Sequence, residues 1–136
     1  MAEKKIGKNT YSVTPLLASE ALKLMGKIVK LVGPGLTDLT DAFKKGENES
    51  DKAAIAAIQK IIGQMDWDDS VDLMIDLCER AEIKRSEGYQ TVIFDNDFTD
   101  NKDEMLGLMW FVLEENFRDF FPAVKAISKR VNKTAA

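Results

Sequence analysis

A run of acids and a lone thiol are the residues of this chain that most invite a chemical reading, and neither assembles the parts a reaction needs. Asp95-Asn96-Asp97-Phe98-Thr99-Asp100 spaces its oxygens like a calcium loop. An EF-hand frame opening at Asp95 requires glycine at its sixth position and glutamate at its twelfth. Asp100 and Leu106 stand there instead, and a polar loop capping a helix accounts for the acids more simply. Cys78 is the only cysteine. It can form no internal disulfide and no thiolate metal site. Leu73, Met74 and Leu77 flank it at helical spacing, which makes it a small core hydrophobe. The chain has no histidine, so it lacks the usual general base at neutral pH, the commonest zinc ligand and the usual activator of a serine. Glu114 and Glu115 are adjacent and diverge on a helix. Asp68, Asp72 and Asp76 share a helix face, as an exposed acidic face also would. Gly33-Pro34-Gly35 has neither the glycine spacing nor the lysine-serine pair of a phosphate cradle. No catalytic, cofactor or metal site is expected. The reading that remains is a protein that works by binding another protein.

Charge points the same way. Residues 1–33 carry six lysines and two glutamates, residues 67–104 twelve acids and four bases, and residues 105–136 five bases and three acids. Nucleic acid demands a continuous basic surface, which an acidic middle interrupts. That middle could steer a basic partner, or be a solvated face. At 136 residues, 45% apolar and 31% charged, the chain suits one domain with its own core. No apolar run approaches the roughly 20 residues that cross a bilayer. Met1-Ala2-Glu3-Lys4-Lys5 opens no secretory signal, and a cytoplasmic protein is expected.

The elements that must position any binding surface are mainly helical. The expected fold is mainly α: a compact bundle of about five helices over residues 1–136, with an extended arm at 1–16, at most one short β-hairpin, and a frayed tail at 132–136. Tyr11, Val13 and Leu16 alternate weakly along the arm, and Thr14-Pro15 holds it out of helical geometry. A first helix over 17–32 carries Ala21, Leu24, Met25, Ile28, Val29 and Val32 on one stripe and Lys23, Lys27 and Lys30 opposite. Gly33-Pro34-Gly35 ends it. A short second helix follows over 36–43. Ser50 caps a third over 51–65, with Ala54, Ile55, Ile58, Ile61 and Ile62 buried. Asp66-Trp67-Asp68-Asp69 opens a fourth, with acids at the positive end of its dipole; its expected core stripe is Val71, Met74, Ile75 and Cys78. Residues 90–94 read as a strand that could pair with the arm, and 95–104 as a polar loop. Asn101 and Glu104 resemble a capping box for the last helix. That helix is apolar on nearly every side from Met105 to Phe121, which places it at the centre of the core or against a partner. Pro122 restarts it.

Two stretches carry a family resemblance. One is Thr14-Pro15-Leu16-Leu17-Ala18, then Ala21-Leu22-Lys23-Leu24, then Leu31-Val32-Gly33-Pro34-Gly35-Leu36. The other is Leu108-Met109-Trp110-Phe111-Val112-Leu113, then Asn116-Phe117, then Phe120-Phe121. Their order, with an acidic middle and a short strand between, resembles the tail assembly chaperones of tailed phages. The resemblance spans about residues 13–121. The acidic segment 95–104 and the basic tail after Pro122 depart from the pattern.

The resemblance implies a protein of the host cytoplasm that coats the long helical tape-measure protein before the tail tube polymerises around it. Such chaperones often occur in two forms, the longer made by a frameshift. The partner is thus expected to be the tape-measure protein, with no cofactor, nucleic acid or membrane. Self-association is expected from the all-round apolar last helix. Candidate contact residues are Trp110, Phe111, Phe117, Phe120 and Phe121. Trp110 and Phe117 also read as core, whereas adjacent Phe120 and Phe121 cannot both face one core. The competing readings are a tail-completion or connector component of the virion and a helical adaptor unrelated to phage.

Overall fold

The computed structural model of the chain describes residues 2–33 and 36–118. The N-terminal arm is not a single strap. Ile6-Gly7-Lys8-Asn9 folds it into a hairpin of β1 (Ala2–Ile6) and β2 (Asn9–Val13). Gly7 sits at φ +59 and no described non-glycine residue has a positive φ, which is the Gly-X turn whose twist suits antiparallel strands. β2 pairs in turn with β3 (Glu82–Arg85), and β3 with β4 (Gly88–Thr91). The sheet among the described residues is therefore four-stranded and antiparallel, in the order β1-β2-β3-β4. It is larger than the one hairpin expected. The strand expected at 90–94 lies earlier, and β3, not β4, meets the arm. β3 has a single apolar residue, Ile83, which is buried opposite Tyr11.

The described residues also form six α-helices: α1 (Ala18–Val32), α2 (Leu36–Asn48), α3 (Asp51–Gln64), α4 (Trp67–Cys78), α5 (Phe94–Phe98) and α6 (Met105–Phe117). α1 buries Leu24, Met25, Ile28 and Val32, as its stripe predicts, but Leu22 and Val29 stand outside. Gly33 ends α1 at φ +52 with its N–H on the Val29 carbonyl; Pro34 and Gly35 lie outside the described residues. Ser50 caps α3 by accepting from the Ala53 N–H at 3.1 Å.

α4 is turned relative to expectation. It buries Ser70, Leu73, Leu77 and Cys78, leaving Val71, Met74 and Ile75 half-buried. Ser70 tolerates burial because its hydroxyl donates to the Ile62 carbonyl at 3.2 Å, tying α4 to α3. The expected polar loop at 95–104 is mostly helical, with α5 followed by a 3₁₀ turn at Lys102–Glu104. No capping box forms. The Asn101 amide donates to the Asp97 carbonyl instead, and Glu104 turns into the core.

α6 is the central element. It packs against α3, α4, β1 and β2, and its residues from Leu108 to Leu113 are all buried. Its all-round apolar character is thus satisfied within one chain. Gly107 lets β1 approach: a Cβ there would meet the Ile6 Cγ2 at 2.9 Å. Asn116 accepts from the Leu16 N–H at 3.0 Å and donates to the Val112 carbonyl at 2.9 Å. The two stretches that carry the resemblance are therefore joined. The helix expected after Pro122 and the tail at 132–136 lie outside the described residues.

Candidate functional site

An open groove of about 350 Å³ runs between the end of α3, the start of α4 and the start of α6. Local sequence fixes its walls. Asp66 starts α4 by accepting from the Asp68 and Asp69 N–H groups at 3.0 and 3.3 Å, so only Met65 and Asp66 separate α3 from α4. α3 contributes Gln59, Ile62 and Gly63; α4 contributes Trp67 and Met74; the last wall is Lys102, Met105 and Leu106. A Cβ at Gly63 would meet nothing within 4 Å. Trp67 is 66% exposed, and Met74, Met105 and Leu106 are half-buried. An exposed indole beside two thioethers is an adaptable apolar surface, because methionine reshapes itself to fit a partner.

The charges along the end of α3 and through α4 are uneven. Residues 61–79 hold six acids and no base. Asp76 is engaged by Lys27 at 2.9 Å and Arg80 at 3.1 Å; burial works to raise its pKa, but those two cations hold it below the ordinary carboxylate value. Asp68, Asp69 and Asp72 are exposed and form no ion pair among the described residues. On the opposite wall Lys102 donates to the Thr99 carbonyl at 2.7 Å.

The buried polar groups serve the fold. Glu104, 1% exposed, accepts from the Tyr11 hydroxyl at 2.9 Å and the Asn9 amide at 3.1 Å, pinning the hairpin to the start of α6. Burial, then the hydrogen bond to this carboxyl and its charge, push the Tyr11 hydroxyl far above its usual pKa. Asp97 takes a two-pronged contact from Arg85 at 2.8 and 2.9 Å and the Ile93 N–H at 2.7 Å. Burial would raise its carboxyl, but these donors hold it below the ordinary range. Asp51 joins three elements, receiving Lys4 of β1 and the Trp110 indole N–H of α6 at 3.3 Å. Cys78 is fully buried, and burial pushes its thiol up to about 12.

Among the described residues, no group of three or more His, Cys, Asp or Glu residues could hold a metal ion, and no helix is long and apolar enough to cross a membrane. A void of about 20 Å³ beneath α1 has an apolar lining that includes Ile28, Leu39, Ile58 and Leu113, too small for a ligand.

The structure places Trp110, Phe111 and Phe117 in the core, at 1%, 2% and 0% exposure. Trp110 packs on Phe43 with ring centroids 5.0 Å apart, and Lys4 lies over the Phe111 ring. Phe120 and Phe121 lie outside the described residues. Sequence reasoning gave the groove no role, although a signal existed. Trp67, Val71 and Met74 form an i, i+4, i+7 stripe on α4 that is separate from the buried stripe of Leu73 and Leu77.

The chain was compared with known proteins. A family model described as phage tail assembly chaperone protein matches residues 7–129. Comparison with curated proteins and with solved structures found no significant match.

Proposed function

We infer the function from one premise: the chain belongs to the phage tail assembly chaperone family. Our reading is that it binds the tape-measure protein and keeps that long helical chain soluble while the tail tube forms, in the host cytoplasm and without catalysing a reaction. The observation that carries it is the apolar groove with Trp67 exposed at its edge. α6, the most apolar element, buries Leu108 to Leu113 inside the chain and leaves Met105 and Leu106 to the groove. The groove is a concave site where apolar surface remains open; Leu17, Leu22, Val29 and Ile93 are exposed singly outside it. An amphipathic helix laid into such a groove buries its own apolar stripe and the walls together. Trp110, Phe111 and Phe117 are buried in the core, and any direct contact they make requires the core to open.

Co-expression with the tape-measure protein of the same phage tests the reading. The tape-measure protein should become soluble and co-purify, and finished virions should lack this chain. A tape-measure protein that stays insoluble, or a chain retained in virions at fixed stoichiometry, would favour a tail-completion component instead.

A further inference from the structure

We propose that Gly63 is a notch for the partner: the helix that fills the groove crosses the end of α3 there and sets a glycine, alanine or serine of its own against it. The inference rests on the reading that the groove takes a helix, and adds what that helix must carry. Gly63 lies inside α3, whose capping residue is Met65, and its φ is not positive. No turn or left-handed cap therefore requires it. No neighbour requires it either, because a Cβ at Gly63 would meet nothing within 4 Å. Gly107 differs, since Ile6 occupies the space a Cβ would need there. At Gly63 alanine would fit the free chain and favour the helix. What the missing side chain leaves open is the α3 wall of the groove, where Gly63 stands with Gln59 and Ile62. The facing walls adapt to an occupant, through the exposed Trp67 and the thioethers of Met74 and Met105. The α3 backbone does not adapt, so shape selection falls to Gly63. Helices with small residues at their contact approach to the near end of the roughly 8–10 Å range of interaxial distances. At such a crossing the partner's residue must be small as well. Apolar side chains three and four positions along the partner then reach Trp67, Met74, Met105 and Leu106. A helix with a bulky side chain at the crossing is held away from the groove.

The test sets Gly63→Ala beside Gly26→Ala in the full chain. Gly26 of α1 is equally open to a Cβ and lines no part of the groove, which makes it the control. Each substitution should raise the Tm of the free chain by about 1–4 °C, because each removes a flexible glycine from a helix without strain. Their effects on binding should part. Each variant is co-expressed with the parent chain, both in excess over a tagged tape-measure protein of the same phage. Mass spectrometry of the captured complex then gives the ratio of variant to parent. Gly63→Ala should be depleted about five- to hundredfold, the range expected for overpacking a tight contact. Gly26→Ala should stay at parity. A variant more stable than its parent and yet a weaker binder is the signature of a residue kept for a partner. Parity for both variants overturns the proposal and leaves the chaperone reading standing. Equal depletion of both overturns it too, since helix stiffness and not close approach would then be the cause. A fall in Tm for Gly63→Ala also overturns it, because the glycine would then serve the chain's own fold. If the tape-measure protein captures neither parent nor variant, the chaperone reading itself falls and takes the notch with it.

Discussion

Replacing Glu104 by alanine removes the one acceptor that Tyr11 and Asn9 share. Tyr11 is wholly buried and Asn9 partly so. An orphaned buried donor costs about 1–3 kcal/mol; the Tyr11 hydroxyl meets that in full, and the Asn9 amide recovers part of it from water. Glu104→Ala should therefore destabilise the chain by about 2–4 kcal/mol. For a domain of this length that is a fall in Tm of roughly 6–15 °C. Glu104→Gln keeps an acceptor for the Tyr11 hydroxyl and should cost only about 1 kcal/mol. Urea unfolding followed by circular dichroism measures both. Met105 and Leu106 follow Glu104 directly and form a groove wall, so the alanine variant should also bind a partner more weakly at temperatures where it is still folded. An alanine variant within about 0.5 kcal/mol of the parent would refute the pin, since that is the range of ordinary surface substitutions. So would a glutamine variant as damaged as the alanine one, because the acceptor would then not be what matters.

Three further outcomes follow from the same contacts. Gly107→Ala should destabilise the chain by about 1–3 kcal/mol through overpacking against Ile6, and Ile6→Ala in the same molecule should cost less than the two changes summed, which a double-mutant cycle will show. The Asp97 carboxyl is held below its unfolded value, so it contributes stability above about pH 4 that is lost as pH falls through its depressed native pKa; Asp97→Asn should flatten that part of the acid-unfolding curve and cost about 2–4 kcal/mol at neutral pH. Cys78, buried with its thiol pushed up to about 12, should resist alkylation at pH 8 in the native chain and react at once in denaturant; rapid native modification would contradict its placement.

The helices were legible where a cap or stop coincided with a stripe, as in Ser50 before α3 and Gly33 after α1. The sheet was not. β1 and β3 are rich in charge, and Lys4-Lys5 and Lys84-Arg85 conceal strands whose pairing is decided across some seventy residues, by Tyr11 meeting Ile83. The hairpin itself had a local signal in Gly7-Lys8, a two-residue turn between alternating segments. Glu104 misled because a carboxylate three residues after an asparagine is the pattern of a capping box, and the buried Tyr11 hydroxyl competes for it more effectively than an exposed N–H. The groove was obscured for a related reason. α4 has two apolar stripes, and the sequence alone does not say which one the core takes. The structure assigns Leu73 and Leu77 to the core, and that choice leaves Trp67 and Met74 at the surface.

Hydrogen–deuterium exchange of the chain with and without the tape-measure protein tests the central claim most directly. Binding through the groove predicts new protection confined to residues 59–74 and 102–106, with α1 and β4 unchanged. Protection that spares those segments while the complex forms would contradict it, and would move the binding surface elsewhere on the fold.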